Sequence, residues 1–274
     1  MAVARGARQG AAGGRSMIGF LRLYALQVGA AVRMSFADRA NFALQVAGMA
    51  INNLVFLTLW VLFFAGFKSV GGWGFSNMAL LLGLTMTIVG TCGVAFGGYR
   101  DMAVSILRGE LDALLTQPKG LISRLLARES LATAWGDLAG GITVLSLFAK
   151  VSFADLPLLL LALSAGLTVY LSAAISFACL AFWASGARSF ARDLTDFTLL
   201  FSSYPGSIYQ GAVKVVAYSI LPAGFVVMAP VEMLREPELK SVAVVVTAAV
   251  GYAALAAGLF HLGLRRYRSG ASLA

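Results

Sequence analysis

The chain has 274 residues, 59% of them apolar and only 12% charged, with a formal net charge of +9. Soluble domains average roughly 25% charged residues, and a fold of this size always leaves much of its surface at the boundary, so the composition excludes a water-soluble globular domain and requires lipid as solvent. Lys and Arg sit between apolar runs and build no single basic face, which reads as cationic loops at a membrane surface and not as a nucleic-acid interface.

Residues 1–16, rich in Gly, Ala and Arg, read as a disordered tail. Residues 17–38 alternate apolar clusters with Arg22, Arg33 and Asp38, which suits a helix lying in the membrane interface with its arginines among the headgroups. Arg22 and Arg33 also interrupt the stretch where the apolar core of a secretory signal would have to lie. A spanning helix needs about 20 mostly apolar residues. Phe42–Phe67 is the first expected span and Met78–Gly98, after the Gly-rich turn at 71–74, the second. Leu131–Ala149, which contains Asp137, is the third, and Leu156–Ser185 is the fourth, long enough to tilt or to project beyond the bilayer.

The region Phe190–Leu234 holds two apolar stretches, Phe197–Ile208 and Ala212–Met228, separated by Tyr204, Pro205 and Gln210. Pro222 and Pro230 interrupt the second stretch, each removing a backbone donor and disfavouring helix before it. Val242–Leu264 is the last span and ends in Arg265, Arg266 and Arg268.

Charge sets the expected topology. Sixteen Lys and Arg fall before the first span, between spans two and three, between spans four and five and in the tail, against five (Lys68, Lys150, Lys214, Arg235, Lys240) in the alternate connections. The positive-inside rule then places both termini in the cytoplasm and makes the number of spans even. Two full crossings within 190–234 would give seven. The expectation is therefore one crossing at about Ala191–Tyr209, followed by a broken segment over 205–234 that enters from outside and returns. Non-helical backbone at that depth must be packed in protein or line a wet cavity, which makes Tyr204, Pro205, Tyr209, Pro222 and Pro230 candidates for a permeation path. The competing reading is a Pro-kinked fifth helix at Ala212–Met228 with Phe197–Ile208 in the interface.

Catalytic chemistry is sparse. A phosphate-cradling ATPase loop needs Gly directly before Lys, and the five lysines follow Phe, Pro, Ala, Val and Leu. If ATP drives this chain, another polypeptide binds it. His261 is the single histidine and reads as an interfacial or packing residue; Cys92 and Cys179 lie in apolar runs and suggest neither disulfide nor metal site. Asp137 is the best acid for ion coupling, but its place near the cytoplasmic end of span three also suits a solvated carboxylate; Asp193 and Asp196 sit beside Arg192 as a solvated ion pair. Gly93 with Gly97 and Gly136 with Gly140 allow close helix approach, read here as packing within the chain rather than a dimer seam.

The segment Tyr99–Gly120 is the most informative. Ile106, Leu107, Leu111, Leu114 and Leu115 recur at helical spacing, predicting a short amphipathic helix that ends before Pro118. Glu110 and Asp112 add acids that an Arg-bearing partner could pair with, so the helix suits a partner's groove as well as a membrane surface.

The run I-L-R-G-E-L-D-x-L-L-x-x-P at 106–118, together with the Tyr-Pro … Pro … Pro-x-x-x-Leu stretch at 204–234, resembles the ABC-2 type permeases, in particular the branch called ABC-2 family transporter proteins. The pattern is departed from at Ser207, at Leu221 before Pro222, and at the acids Glu232 and Glu236 near Pro230. The resemblance implies an all-α membrane protein of the type V exporter fold: six transmembrane helices over 39–268, an N-terminal connecting helix at 17–38, a coupling helix in the 99–120 loop, re-entrant helices at 205–234, and a short tail at 269–274. It further implies two permease chains, identical or paralogous, each docking a separate ATP-binding subunit. Leu107, Arg108, Glu110, Leu111, Asp112, Leu114, Leu115 and Pro118 would seat that subunit. ATP and magnesium would belong to the partner, and the chain itself would be no enzyme. The bacterial inner membrane, with both termini cytoplasmic, follows from the resemblance and the charge asymmetry. The alternatives are an ion-coupled secondary transporter and a non-transporting membrane assembly factor.

Overall fold

The structure is a computed structural model that describes residues 3–69, 71–116, 120–184 and 186–267, with side chains from Gly19 onward. Every regular element among them is helical. Helix α1 spans Val3–Ser35, so the helical backbone runs through residues 3–16, where a disordered tail is expected; Ala and Arg are strong helix formers and no proline interrupts them. Its second half lies against the body of the protein, where Tyr24 donates to the Ala95 carbonyl at 2.8 Å. The tail 269–274 lies outside the described residues.

Helix α2 (Arg39–Gly66) starts where the Asp38 side chain accepts from the Asn41 amide, satisfying one of the donors a helix start leaves open. Only Asn53 and Trp60 of it are buried. Helix α3 (Phe75–Phe96) is its opposite: every residue from Met78 to Gly90 is buried, so this helix is the core around which the others pack. A 3-10 turn at Gly97–Tyr99 carries it into α4 (Met102–Leu107), and α5 (Leu111–Leu115) follows after a three-residue turn.

Helix α6 (Leu121–Ala127) and helix α7 (Ala132–Phe148) meet at a bend of 84°. The bend is anchored where the Leu131 amide donates to the Gly93 carbonyl at 3.0 Å. Helix α7 then runs along α3 at close range. At Gly90 a side chain would collide with the Leu138 backbone, and at Gly141 with the Thr87 backbone, so hydrogen at Cα is what lets these two helices approach. Gly93 faces Ala134, Gly136 faces Val46 and Met49, and Gly140 faces Asn53. All three contacts lie within the chain.

Helix α8 (Leu156–Cys179) begins one residue before Pro157, a favoured place for proline because no helical donor is lost there; with its 3-10 ends it forms one apolar rod over Phe153–Phe182. Helix α9 (Ala187–Ser202) is only 16 residues long, about 24 Å at 1.5 Å per residue. Ala187, Ala191, Thr195, Thr198 and Ser202 form its buried stripe, while Arg188, Arg192, Asp193 and Asp196 stand among its other residues. The helix found where a fifth span is expected at Ala191–Tyr209 is thus Ala187–Ser202, which stops before Pro205 and is not among the helices long and apolar enough to cross a membrane by themselves.

The next segment does not form the single kinked helix Ala212–Met228. Helix α10 (Gly211–Ala217) ends, the chain turns over 218–223, a π-helical turn spans Gly224–Met228, and α11 (Ala229–Arg235) continues it. Both ends of the segment lie at the α2–α3 connection. Ser207 rests against Gly71, and Arg235 donates to the Gly72 carbonyl at 3.2 Å while its guanidinium stacks 5.1 Å from the Trp73 ring. Its middle reaches much deeper. Tyr252, midway along α12 (Leu239–Arg266), donates to the Ser219 carbonyl at 2.9 Å, and the Val226 carbonyl packs against Gly166, which lies within α8.

Among the described residues, four helices are long and apolar enough to cross a membrane: Arg39–Gly66, Phe75–Leu107, Phe153–Phe182 and Leu239–Arg266. The bent α6–α7 pair makes a fifth if it counts as one crossing. The chain is a multi-pass membrane protein.

Candidate functional site

Among the described residues, two polar places bear on function. The first is the loop between α3 and α6. Sequence periodicity predicts one amphipathic helix here, but α4 and α5 are separate, because Gly109 turns the chain with φ +73°, a left-handed conformation that costs any other L-residue about 1–2 kcal/mol. Arg128 Nη1 reaches Glu110 Oε2 at 3.0 Å and donates to Ser105 Oγ at 2.7 Å, while Ser105 Oγ donates to Glu110 at 2.9 Å. These bonds hold the Glu110 carboxyl below the usual glutamate range, the hydrogen bond from Arg128 contributing most and that from Ser105 next. Glu110 is therefore committed within the chain and braces the turn against the end of α6.

The other residues expected to seat a partner divide in the same way. Leu111 is fully buried, and Leu107, Asp112 and Leu114 are half-buried. Tyr267, just beyond α12, lies beside Leu111 and Asp112. Arg108 and Leu115 are exposed, Arg108 with 67% of its side chain open and Leu115 at 51%. Pro118 lies outside the described residues. Beside the loop a groove of about 980 Å³ is lined by Leu107, Phe182, Trp183, Arg265, Arg266 and Tyr267. Sequence reasoning counted the two arginines only as topology signals and did not single out Phe182 and Trp183. The aromatic pair at the end of the fourth apolar run, next to the basic tail, was the available signal.

The second place is a cavity of about 390 Å³ between α2, α3, α7 and α9. Its polar lining includes Asn52, Asn53, Thr85, Asp137, Asp196 and Ser203. Asn53, buried on α2, donates from Nδ2 to Asp137 Oδ1 at 3.0 Å. Gly140, one turn beyond Asp137 on α7, leaves the room in which Asn53 sits. Tyr204 closes another side of the cavity, its ring 6.1 Å from both Phe56 and Trp60 in edge-on contacts.

Of the residues expected to line a permeation path, Tyr204 alone borders this cavity. Tyr209 stacks on Phe201 at 5.2 Å and donates to the Phe201 carbonyl at 3.0 Å. Pro205, Pro222 and Pro230 are buried in packing. Asn52, Asn53, Thr85 and Ser203 were not singled out from the sequence; the adjacent asparagines in the middle of a 26-residue apolar run were the signal that could have found two of them.

An all-helical, lipid-adapted body with a braced polar loop at one end and a polar cavity between its helices is the architecture of a membrane permease. A sequence profile of the family described as ABC-2 family transporter protein matches residues 50–271. The chain belongs to that family. Comparison with curated proteins and with solved structures gave no match.

Proposed function

We propose that this chain is the transmembrane subunit of an ATP-driven exporter whose energy comes from a separate nucleotide-binding subunit. The observation that carries the reading is the family match across residues 50–271. ATP and magnesium are then held by that partner, whose seat is the loop 99–120 with the aromatic and basic groove beside it. Arg108, Leu115, Trp183, Arg265 and Arg266 are the residues of that surface most open to a partner.

Six crossings with both termini in the cytoplasm fit the helices if α6–α7 is one broken crossing and α9, continued by 203–209, is another. The segment 205–234 is then re-entrant from the outer side, since both its ends lie at the α2–α3 connection and its middle reaches the middle of α12. A second permease chain, identical or paralogous, would pair along α2 and α9. Support comes from the polar Asn52 exposed on α2 and from Phe197 and Leu200 exposed on α9, in the two helices that border the cavity. The membrane is then the bacterial inner membrane. Mechanistically, closure of two ATP-binding subunits would move the braced loops, and the helices bearing them would rock as rigid bodies to open the cavity outward. Such coupling requires an element that both states contact differently, and the turn around Gly109 is exposed enough to serve.

Replacing Arg266 by Glu together with Leu115 by Asp alters the exposed rim and leaves the groups around the Glu110–Arg128 brace untouched. The pair of changes should abolish co-purification with the ATP-binding subunit while the spans still fold. Undiminished co-purification would sink the docking assignment. Ion-coupled secondary transport keeps one observation in its favour, the Asp137 carboxylate in the cavity; ATP-dependent accumulation in inverted vesicles without an ion gradient decides against it.

A further inference from the structure

We infer that a groove along α12 is a phospholipid site, in which one acyl chain lies between α12 and the segment 219–225 and the headgroup phosphate meets Lys240. The inference needs only an α12 that spans the membrane, so it stands apart from the docking of an ATP-binding subunit and from the direction of transport.

Lys240, Ala243, Thr247, Gly251 and Leu255 line one side of this groove. They follow one another at steps of three and four residues, so they form a single stripe down the helix. Ser219 and Phe225 stand on the other side. From Lys240 to Leu255 the stripe runs about 22 Å at 1.5 Å per residue, enough to pass through one leaflet of a hydrocarbon core about 30 Å thick. The groove holds about 740 Å³. A Cβ added at Gly251 would meet nothing from the other elements within 4 Å, so the space beside it is open.

Hydrocarbon is what reaches this stripe, because α12 is long and apolar enough to cross a membrane and Ala243, Thr247, Gly251 and Leu255 are exposed on it. Polar atoms of the groove are already bonded: Ser219 Oγ donates to the Val215 carbonyl at 2.6 Å, and Tyr252 donates to the Ser219 carbonyl at 2.9 Å. An acyl chain asks nothing more of them. At the polar end Lys240 is exposed, and among the described residues no carboxylate lies within 4.0 Å of it, so its ammonium is open to a phosphate oxygen. Glu236 and Glu238 are exposed at the same end, so that end is not basic as a whole. The headgroup that suits it is zwitterionic, with its phosphate at Lys240 and its ammonium towards the acids, whereas a purely anionic headgroup would meet two carboxylates of its own sign.

The full-length chain, purified in a non-ionic detergent, is titrated with phosphatidylethanolamine or phosphatidylglycerol carrying a diazirine midway along one acyl chain, and the labelled peptides are mapped after illumination. Labelling should saturate and concentrate on 243–255 and 219–225, with the ethanolamine lipid binding at least fivefold tighter. Gly251→Phe fills the groove and should lower this labelling at least fivefold, while Ala257→Phe, exposed on α12 outside the lining, should leave it unchanged. Lys240→Ala alters an exposed side chain and serves as the second variant if Gly251→Phe does not fold; it should weaken binding of the ethanolamine lipid at least threefold. Label spread evenly over α2 and α12, undiminished labelling in the two groove variants, or equal affinity for the two headgroups overturns the inference. An unlabelled stripe, as a second copy of the chain seated there would give, overturns it too. None of these outcomes touches ATPase docking, which co-purification reads separately.

Discussion

Arg128 Nη1 and Glu110 Oε2 lie 3.0 Å apart and tie the turn at Gly109 to the last turn of α6. The bridge joins two pieces of chain 18 residues apart and gives the short helices α4 and α5 a fixed angle that neither could hold alone, because isolated helices of five or six residues are not stable in water. The same carboxylate that sequence reasoning offered to a partner is therefore part of the frame that presents Arg108 and Leu115.

Replacing Glu110 by Gln should loosen this turn without unfolding the membrane body, since the pair is partly solvent-exposed and such bridges contribute little to global stability. Amide exchange at Leu111 and Asp112 should accelerate, while the melting temperature in detergent stays nearly unchanged.

The wild-type turn should also depend on pH. Glu110 has a folded pKa below its unfolded value, so its contribution is present above the ordinary glutamate range and is lost as pH falls through the depressed folded value. Exchange protection of the loop should be flat from neutral pH to about 5 and drop below it, and the drop should be missing in the Gln variant.

Gly109→Ala places a Cβ on a left-handed residue, at a cost of about 1–2 kcal/mol. The expected result is weaker coupling between ATP hydrolysis and transport with the spans intact. Gly90→Leu, in contrast, drives a side chain into the Leu138 backbone; overpacking of this kind costs about 1–3 kcal/mol or more, visible as reduced yield and melting temperature with the loop itself untouched.

Tyr252→Phe removes the hydroxyl that donates to the Ser219 carbonyl. A loss of about 0.5–1.5 kcal/mol is expected, concentrated at the turn 218–223 and readable as faster exchange there.

Orientation can be read chemically. Cys92 and Cys179 are buried, so background labelling should be low. A thiol introduced by Leu115→Cys should resist an impermeant reagent in intact cells and react after lysis, and one introduced by Lys68→Cys should react in both. Labelling of position 115 in intact cells would place the loop on the outer face and end the exporter topology.

How much of this was legible in the chain follows from where the information is stored. Four long apolar runs specify four long helices because burying a backbone in lipid demands that every donor and acceptor be paired within the segment, and that demand is local. The branch of the family was legible too, through the 106–118 and 204–234 runs. The division of roles inside those runs was not. Leu111 and Leu115 share one apolar stripe, yet one is fully buried and the other half exposed, because the core that takes in Leu111 is assembled from distant segments of the chain. Asn53 and Asp137 are 84 residues apart; their hydrogen bond exists because Gly136 and Gly140 let α7 lie against α2. Helix identity came from short-range periodicity, whereas the brace, the cavity and the deep turn at Ser219 arise from contacts between distant segments, which only the packed structure brings together.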